Sequence, residues 1–157
     1  MGGTLTAAAD NFDRFTAEAG ERLRRVLVAQ NGVEIGNDVT DEALAYAWEH
    51  WERVSAMDNP IGYLYRVGRS ATRRHERWNR RPTLPVESHV PEEPGDPGLH
   101  AALVRLKESQ RVCVVMVHVY DWTYEQTAAV LGISLAAVRN HLHRGLRQLR
   151  HELEGQQ

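Results

Sequence analysis

Hydrogen-bond donors cluster near the C-terminal end of the chain, in the segment SLAAVRNHLHRGLRQLR. At helical spacing, guanidinium, amide and imidazole groups occupy the broad surface of this segment outside its apolar stripe: Arg139, Asn140, His141, His143, Arg144 and Arg147. Arginine can read guanine and asparagine can read adenine through paired hydrogen bonds. The other side is apolar and carries Leu135, Val138, Leu142, Leu146 and Leu149. The pattern predicts an amphipathic helix whose polar face binds nucleic acid.

The residues before this helix predict how it is positioned. Thr123 and Gln126 have the spacing of a capping box, which starts a helix. Gly132 stands where a helix can end in the left-handed conformation, and Ser134 can cap the helix that follows. A helix, a tight turn and a second helix form a helix-turn-helix, whose second helix enters the major groove. A basic, solvated face on an ordinary helical hairpin is the alternative, and the cap, glycine and basic stripe together favour DNA binding.

Charge is distributed unevenly along the chain, although the net charge is only −2. Seven arginines and one acid lie between residues 66 and 81, and four arginines and no acid lie between 139 and 150. Four acids and no basic residue lie between 82 and 98: Glu87, Glu92, Glu93 and Asp96. Two basic stripes separated by an acidic spacer predict two places that hold a polyanion.

Composition excludes several classes of protein. The chain of 157 residues is 42% hydrophobic and 25% charged, as expected for a globular protein. Its one cysteine, Cys113, lies in an apolar run and is predicted to be a buried thiol. No signal peptide or membrane span is visible, so we expect a cytoplasmic protein. His141 and His143 point about 200° apart on a helix and cannot share one metal ion, so no cofactor is expected.

Prolines divide the chain, because five of the six lie between Pro82 and Pro97. We predict an N-terminal domain (1–81), a flexible linker (82–98) and a C-terminal domain (99–157), all without strands. Three N-terminal helices form a bundle, and four shorter helices follow the linker, one of them in the apolar run VCVVMVHV. The apolar stripes of the N-terminal helices are predicted to bury three tryptophans: Trp48, Trp51 and Trp78.

At this point the residues resemble a known family. The motif W-x-Y-x-Q-x-A-x-x-L-G-x-S-x-x-x-V-x-x-x-L-x-R, from Trp122 to Arg144, is similar to region 4 of bacterial RNA polymerase sigma factors of the extracytoplasmic-function type. The N-terminal half independently resembles region 2 of that family, in DVTDEALAYAWEHWERVSAMDNPIGYLYRVGRSATRRH. Two motifs in the correct order cover nearly the whole chain. The resemblance implies a non-enzymatic factor that directs core RNA polymerase to promoters.

The resemblance also implies roles for individual residues. The −35 element is expected to meet Ser134, Arg139, Asn140, His141, His143, Arg144 and Arg147. The −10 element is expected to meet Asp58, Asn59, Tyr63, Arg66, Arg69, Arg73, Arg74 and Arg77, with residues 55–59 capturing a flipped base. Core polymerase is expected to contact Asp38, Asp41 and Glu42. Asp58 and Asn59 have an alternative role, which is to cap the helix that begins at Pro60.

The expected partners are core RNA polymerase, promoter DNA and an anti-sigma factor, without a membrane or a small-molecule substrate. The active factor is expected to associate with the nucleoid. Two other functions stay open at this point. One is a freestanding helix-turn-helix regulator that binds operator DNA as a dimer, and the other is a degenerate sigma-like chain that binds proteins without starting transcription.

Overall fold

The computed structural model describes residues 2–79 and 97–155, and these residues form helices joined by short turns without any strand. The all-α prediction is therefore confirmed. The N-terminal half contains α1 (Gly2–Phe15), α2 (Glu21–Asn31), α3 (Val33–Glu49), α4 (Trp51–Ser55) and α5 (Pro60–Asn79). The C-terminal half contains α6 (Pro97–Arg105), α7 (Glu108–Val114), α8 (Tyr124–Leu131) and α9 (Leu135–Glu154). The acidic spacer lies outside the described residues, apart from its last two positions.

The helices α1 and α2 are continuous through a π-helical turn at Thr16–Gly20. Gly32, with φ of 86°, then separates α2 from α3, a backbone conformation that glycine adopts without steric cost. Helix α3 therefore starts at Val33, five residues before the region 2-like motif that begins at Asp38. It also breaks at His50, so that Trp51–Ser55 forms a separate turn of helix.

Two of the three tryptophans predicted to be buried are exposed. Trp78 lies on the same face of α5 as the buried Leu64 and Ala71, yet it is 90% exposed because none of the described helices covers that face at the last turn. Trp48 is 51% exposed, although its ring lies 5.1 Å from the ring of Phe12. Trp51 is partly buried as predicted, against Phe12 at 5.3 Å and Phe15 at 5.2 Å.

The apolar run VCVVMVHV is helical, as predicted, and consists of the end of α7 and a π-helical turn at Val115–Val119. Cys113 within it is fully buried, and burial raises the pKa of its thiol to about 11. Helix α6 begins at Pro97, two residues before the predicted start of this half. Proline suits this position because the first turn of a helix needs no N–H from it.

Two hydrophobic clusters hold the described helices together. The C-terminal cluster contains buried residues of the C-terminal half only, among them Leu103, Cys113, Val138 and Leu142. The larger cluster is built on α2, α3 and α5, and it also includes residues of the C-terminal half. The two halves of the chain therefore pack against each other, with α2 on α7 and α5 on α8.

Candidate nucleic-acid interface

Helices α8 and α9 form a helix-turn-helix with the predicted limits and caps. The Thr123 hydroxyl accepts from the N–H of Gln126 at 3.0 Å, and the Gln126 side chain accepts from the N–H of Thr123 at 3.0 Å. Gly132 adopts the left-handed conformation with φ of 65°. The Ser134 hydroxyl accepts from the N–H of Ala137 at 3.0 Å and caps α9. Ser134 therefore has a structural role at the position predicted to meet DNA.

Helix α9 is pressed against α7 by one narrow face. Its buried residues are Val138, Leu142, Gly145 and Leu149. A Cβ on Gly145 would come within 2.9 Å of the Val114 side chain, so the two helices approach closely there. Leu135 and Leu146 were predicted on this face, but they are 37% and 39% exposed, because the buried stripe is too narrow to cover them.

The predicted DNA contacts lie on the remaining surface of α9. His141 is partly buried at the edge of the packed face, and the other basic and amide side chains are exposed: Arg139, Asn140, His143, Arg144 and Arg147. Arg150, which is not among the predicted contacts, is also exposed on this helix. Its place in the basic stripe of the sequence is the signal that could have identified it.

A second basic surface runs along α5. All five predicted arginines of this helix are exposed: Arg66, Arg69, Arg73, Arg74 and Arg77. Spacings of three and four residues place most of them on one side. Two have acidic partners, since Arg74 lies 3.4 Å from Glu42 and Arg69 lies 4.0 Å from Glu108.

The aromatic residues at the start of α5 differ in accessibility. Tyr65 is buried, and burial raises the pKa of its phenol to about 12. Tyr63 is partly buried, and its hydroxyl lies 3.1 Å from that of Tyr46. The hydrogen bond with Tyr46 raises the pKa of Tyr63. Arg53 also donates to both of these hydroxyl groups.

The predicted base-capturing loop is mostly exposed, but its last residue has a structural role. Asn59 caps α5, because its side-chain oxygen accepts from the N–H of Gly62 at 3.0 Å. Asp58 is exposed, and no capping bond from it to α5 is seen. The capping alternative therefore holds for Asn59.

Trp78 is a candidate contact that periodicity assigned to the core. Its ring, with Glu42, Arg74 and His75, lines an open pocket of about 260 Å³ between α3 and α5. Within the pocket the His75 Nε2 lies 2.7 Å from a Glu42 carboxylate oxygen. An exposed aromatic ring beside arginines is typical of surfaces that bind single-stranded nucleic acid.

The acids predicted to contact polymerase are exposed on α3, and two of them are engaged within the chain. Asp41 bridges to Arg24 at 2.9 Å, and Glu42 bridges to both Arg74 and His75. Asp38 is exposed in the first half of α3. Exposed ion pairs of this kind contribute only about 0–1 kcal/mol, so a basic partner can replace them at little cost.

The described part of the chain shows neither a cluster of metal ligands nor a membrane-spanning helix. Residues 2–79 and 97–155 hold no group of three histidine, cysteine or acidic side chains placed to share an ion. Among the same residues, every helix is too short or too polar to cross a bilayer.

Comparison with known proteins agrees with the two motifs. Residues 98–149 match the family model described as Sigma-70, region 4. The chain is 33% identical over 127 residues to the RNA polymerase sigma-E factor of Streptomyces antibioticus, which covers 74% of this chain and 69% of that protein. It is 35% identical over 127 residues to the sigma-E factor of Streptomyces coelicolor, with 74% and 70% covered.

A solved structure has the same fold. The sigma factor RpoE of Bartonella quintana, crystallised with the anti-sigma factor NepR, superimposes with a TM-score of 0.66 over 92% of this chain and 97% of that one, at 18% identity. The identity with the Streptomyces proteins, over most of both chains, extends well beyond the helix-turn-helix. The chain therefore belongs to the RNA polymerase sigma factors, and within them to the extracytoplasmic-function type that its two motifs resemble.

Proposed function

We propose that this sigma factor binds core RNA polymerase and directs it to promoters by reading a −35 and a −10 element with its two halves. The observation that carries the proposal is the presence of two separate exposed basic surfaces, on α9 and α5, in a chain of this family. A dimeric operator-binding regulator would need only the first of them.

In this proposal α9 reads the −35 element in the major groove. Asn140 and the arginines are exposed on its free side, where amide and guanidinium groups can meet base edges or phosphates. Ser134 and the start of α9 lie next to the turn, where a backbone phosphate meets free N–H groups. His141 is the least suited of the predicted contacts because it is partly buried.

The −10 element is proposed to lie along α5. Its arginines hold the phosphates of the melted strand, while Asp58 and Asn59 contribute to the loop that captures a base. Trp78 is added to the predicted set as a stacking platform, since its ring is free of protein contacts on most of its surface. Tyr63 is the other candidate for stacking, although its hydroxyl is shared with Tyr46.

Core polymerase is proposed to dock on the acidic side of α3. Asp38 is directly accessible there. Asp41 and Glu42 are also exposed, and they can bind a basic partner when it replaces Arg24 and Arg74 in their ion pairs. The anti-sigma factor bound to the Bartonella relative supports a similar inhibitory partner for this chain. Binding to polymerase places the active protein in the cytoplasm, at the nucleoid.

Run-off transcription from a genomic fragment library tests the proposal. Purified bacterial core polymerase is used with the protein, without it, and with the double variant Arg139→Ala/Arg144→Ala. Discrete transcripts that share two upstream elements, and that the double variant loses, are expected. Core that is bound without new transcripts would indicate a degenerate sigma-like chain. Core that is not bound would indicate the independent regulator.

A further inference from the structure

The open pocket between α3 and α5 combines an aromatic ring with a paired acid and base. Its volume is about 260 Å³, and it is lined by Glu42 of α3 and by Arg74, His75 and Trp78 of α5. Residues three and four apart on a helix are neighbours, so the end of α5 presents Arg74 and His75 beside Trp78. Drug-sized ligands occupy about 300–1,000 Å³, so this pocket suits one small ring system.

Trp78 forms the apolar wall of the pocket. Its side chain is 90% exposed, and none of the ring contacts among the described residues involves it, whereas Phe12 packs on Trp48. A nucleobase can stack on an accessible ring of this kind, and every base has a π face with which to do so. Trp78 can therefore hold a base but cannot select one base over another.

The Glu42 carboxylate forms the polar wall, and α5 fixes its position. One of its oxygens lies 2.7 Å from His75 Nε2, and the other lies 3.4 Å from a guanidinium nitrogen of Arg74. A carboxylate has about four lone-pair sites, so each oxygen can accept one further hydrogen bond from a ligand. The guanidinium has five N–H donors, which is more than one ion pair uses. Acceptor and donor groups therefore lie side by side in the pocket.

A base is a better occupant of this pocket than a phosphate. The Glu42 carboxylate would repel a phosphate placed beside it. Phosphates have a more favourable place on the adjacent surface of α5, where Arg73 and Arg77 are exposed. Neither arginine forms an ion pair with an acid of residues 2–79 or 97–155. A strand whose phosphates lie on these two arginines can place a base in the pocket.

Guanine has the hydrogen-bonding groups that match Glu42 and Arg74. Its N1–H and N2–H are adjacent donors that one carboxylate can accept together, and its O6 and N7 are acceptors that arginine binds. On the same edge, adenine and cytosine have a donor next to an acceptor, and thymine has a donor between two acceptors. The acceptors of these three bases would face the carboxylate and be repelled by it.

We propose that this pocket binds an unstacked guanine base, with its ring on Trp78, its N1–H and N2–H donating to Glu42, and its O6 and N7 accepting from Arg74. His75 is a positioning residue, since it holds one oxygen of the carboxylate. Guanine in a DNA strand and guanine in a free nucleotide present the same groups to the pocket. A guanine of the −10 strand is the source that the proposed function implies, and only this assignment rests on that function.

Binding of labelled single-stranded DNA to the full-length chain tests the pocket. The measurement is made without polymerase, because Glu42 is also proposed to meet polymerase. The probes are thymidine strands of about 12 nucleotides, within the usual site size, with one central guanine, adenine, cytosine or hypoxanthine. The guanine probe should bind at least about fivefold more tightly than the adenine and cytosine probes, the lower end of the discrimination by one bidentate base contact. Hypoxanthine lacks the N2 amino group of guanine, so its probe should fall between them.

The variant Glu42→Gln separates base recognition from charge. Loss of a negative charge should strengthen binding of every probe, yet the guanine preference should fall below about twofold, because the amide has only one acceptor oxygen. The variant should fold normally, since the ion pairs that it removes are exposed. Glu34→Gln, the same change at another exposed acid of α3, is the control and should keep the wild-type preference.

Equal affinity of the wild type for the guanine and adenine probes would overturn the proposal, as would a guanine preference that persists in Glu42→Gln. Unlabelled guanosine 5′-monophosphate then distinguishes the two sources of the base. Competition by the nucleotide would identify a site for free guanine nucleotides, and a guanine preference without competition would identify a site for a base within a strand. If the preference is found while core polymerase gives no transcript, the proposed function fails and the pocket stands. Transcripts without the preference would mean the reverse.

Discussion

The backbones of Gly36 and Val28 are in direct contact where α3 crosses α2. A Cβ on Gly36 would lie 2.5 Å from the Val28 Cα and 2.7 Å from its backbone nitrogen. Backbone atoms cannot turn aside as a side chain can, so only glycine permits this crossing. The crossing in turn fixes the position of α3, which carries the acids proposed to meet polymerase.

Gly36→Ala should therefore destabilise the fold. Overpacking of this kind costs about 1–3 kcal/mol, and the upper part of that range is expected because the clash is with backbone. The measurement is urea unfolding followed by circular dichroism. Gly3→Ala is the control, since nothing lies within 4 Å of its Cβ position in α1. A loss as small as that of the control would show that α2 and α3 can separate freely.

Arg139→Ala and Arg144→Ala should each weaken binding to −35 DNA. If the arginine binds a phosphate, its removal lowers the slope of log affinity against log salt by about one. If it binds a base, its removal costs about 1–3 kcal/mol and relaxes specificity at one position. Fluorescence anisotropy over a range of salt concentrations separates the two. Arg14→Ala, an exposed arginine on α1, removes the same charge and should leave both quantities unchanged.

Trp78→Ala should weaken binding of single-stranded −10 DNA by about 1–3 kcal/mol, the usual contribution of one stacked base, without loss of stability. Trp48→Ala is the matched control. Its ring packs on Phe12, so that substitution should lower the thermal midpoint instead. If Trp78→Ala lowers the midpoint and leaves strand affinity unchanged, the tryptophan has a structural role.

Stability should fall at alkaline pH because two buried groups must stay neutral. Burial raises the pKa of Cys113 from 9.0 to about 11 and that of Tyr65 from 10.0 to about 12. Both folded values exceed the unfolded ones, so this stabilisation is complete below pH about 9 and is lost as pH rises towards 11 and 12.

Unfolding free energies measured between pH 8 and 11 check this dependence. By pH 11, ionisation of Cys113 should lower the free energy of unfolding by roughly 2–3 kcal/mol. In Cys113→Ala this contribution is absent, so the free energy of unfolding should fall less with pH, by that amount. Tyr124→Phe, a change at an exposed tyrosine, should keep the wild-type slope. Equal slopes in all three proteins would show that Cys113 titrates as if exposed.

Local sequence signals were sufficient to predict the helix-turn-helix. The cap at Thr123, the left-handed Gly132 and the cap at Ser134 act within a few residues of each other, and α8 has the limits that they predict. The polar stripe of α9 follows from helical periodicity alone, which is why five of its six predicted polar residues are exposed and only His141 is partly buried.

Helical periodicity did not predict burial correctly where an apolar face must be covered by a helix that is distant in sequence. It places Trp78 on the apolar side of α5, but whether another helix reaches that last turn depends on how long and how tilted the neighbours are. The same holds for Trp48 at the end of α3.

Asn59 shows the division between sequence and structure most directly. That an asparagine before Pro60 can cap α5 is a local property, and the sequence by itself determined it. That its amide nitrogen lies 2.7 Å from the carbonyl of Ala129, 70 residues away, depends on how the two halves pack. Only the tertiary structure decided it, because the free carbonyls at the end of α8 accept whichever donor the apolar packing brings near.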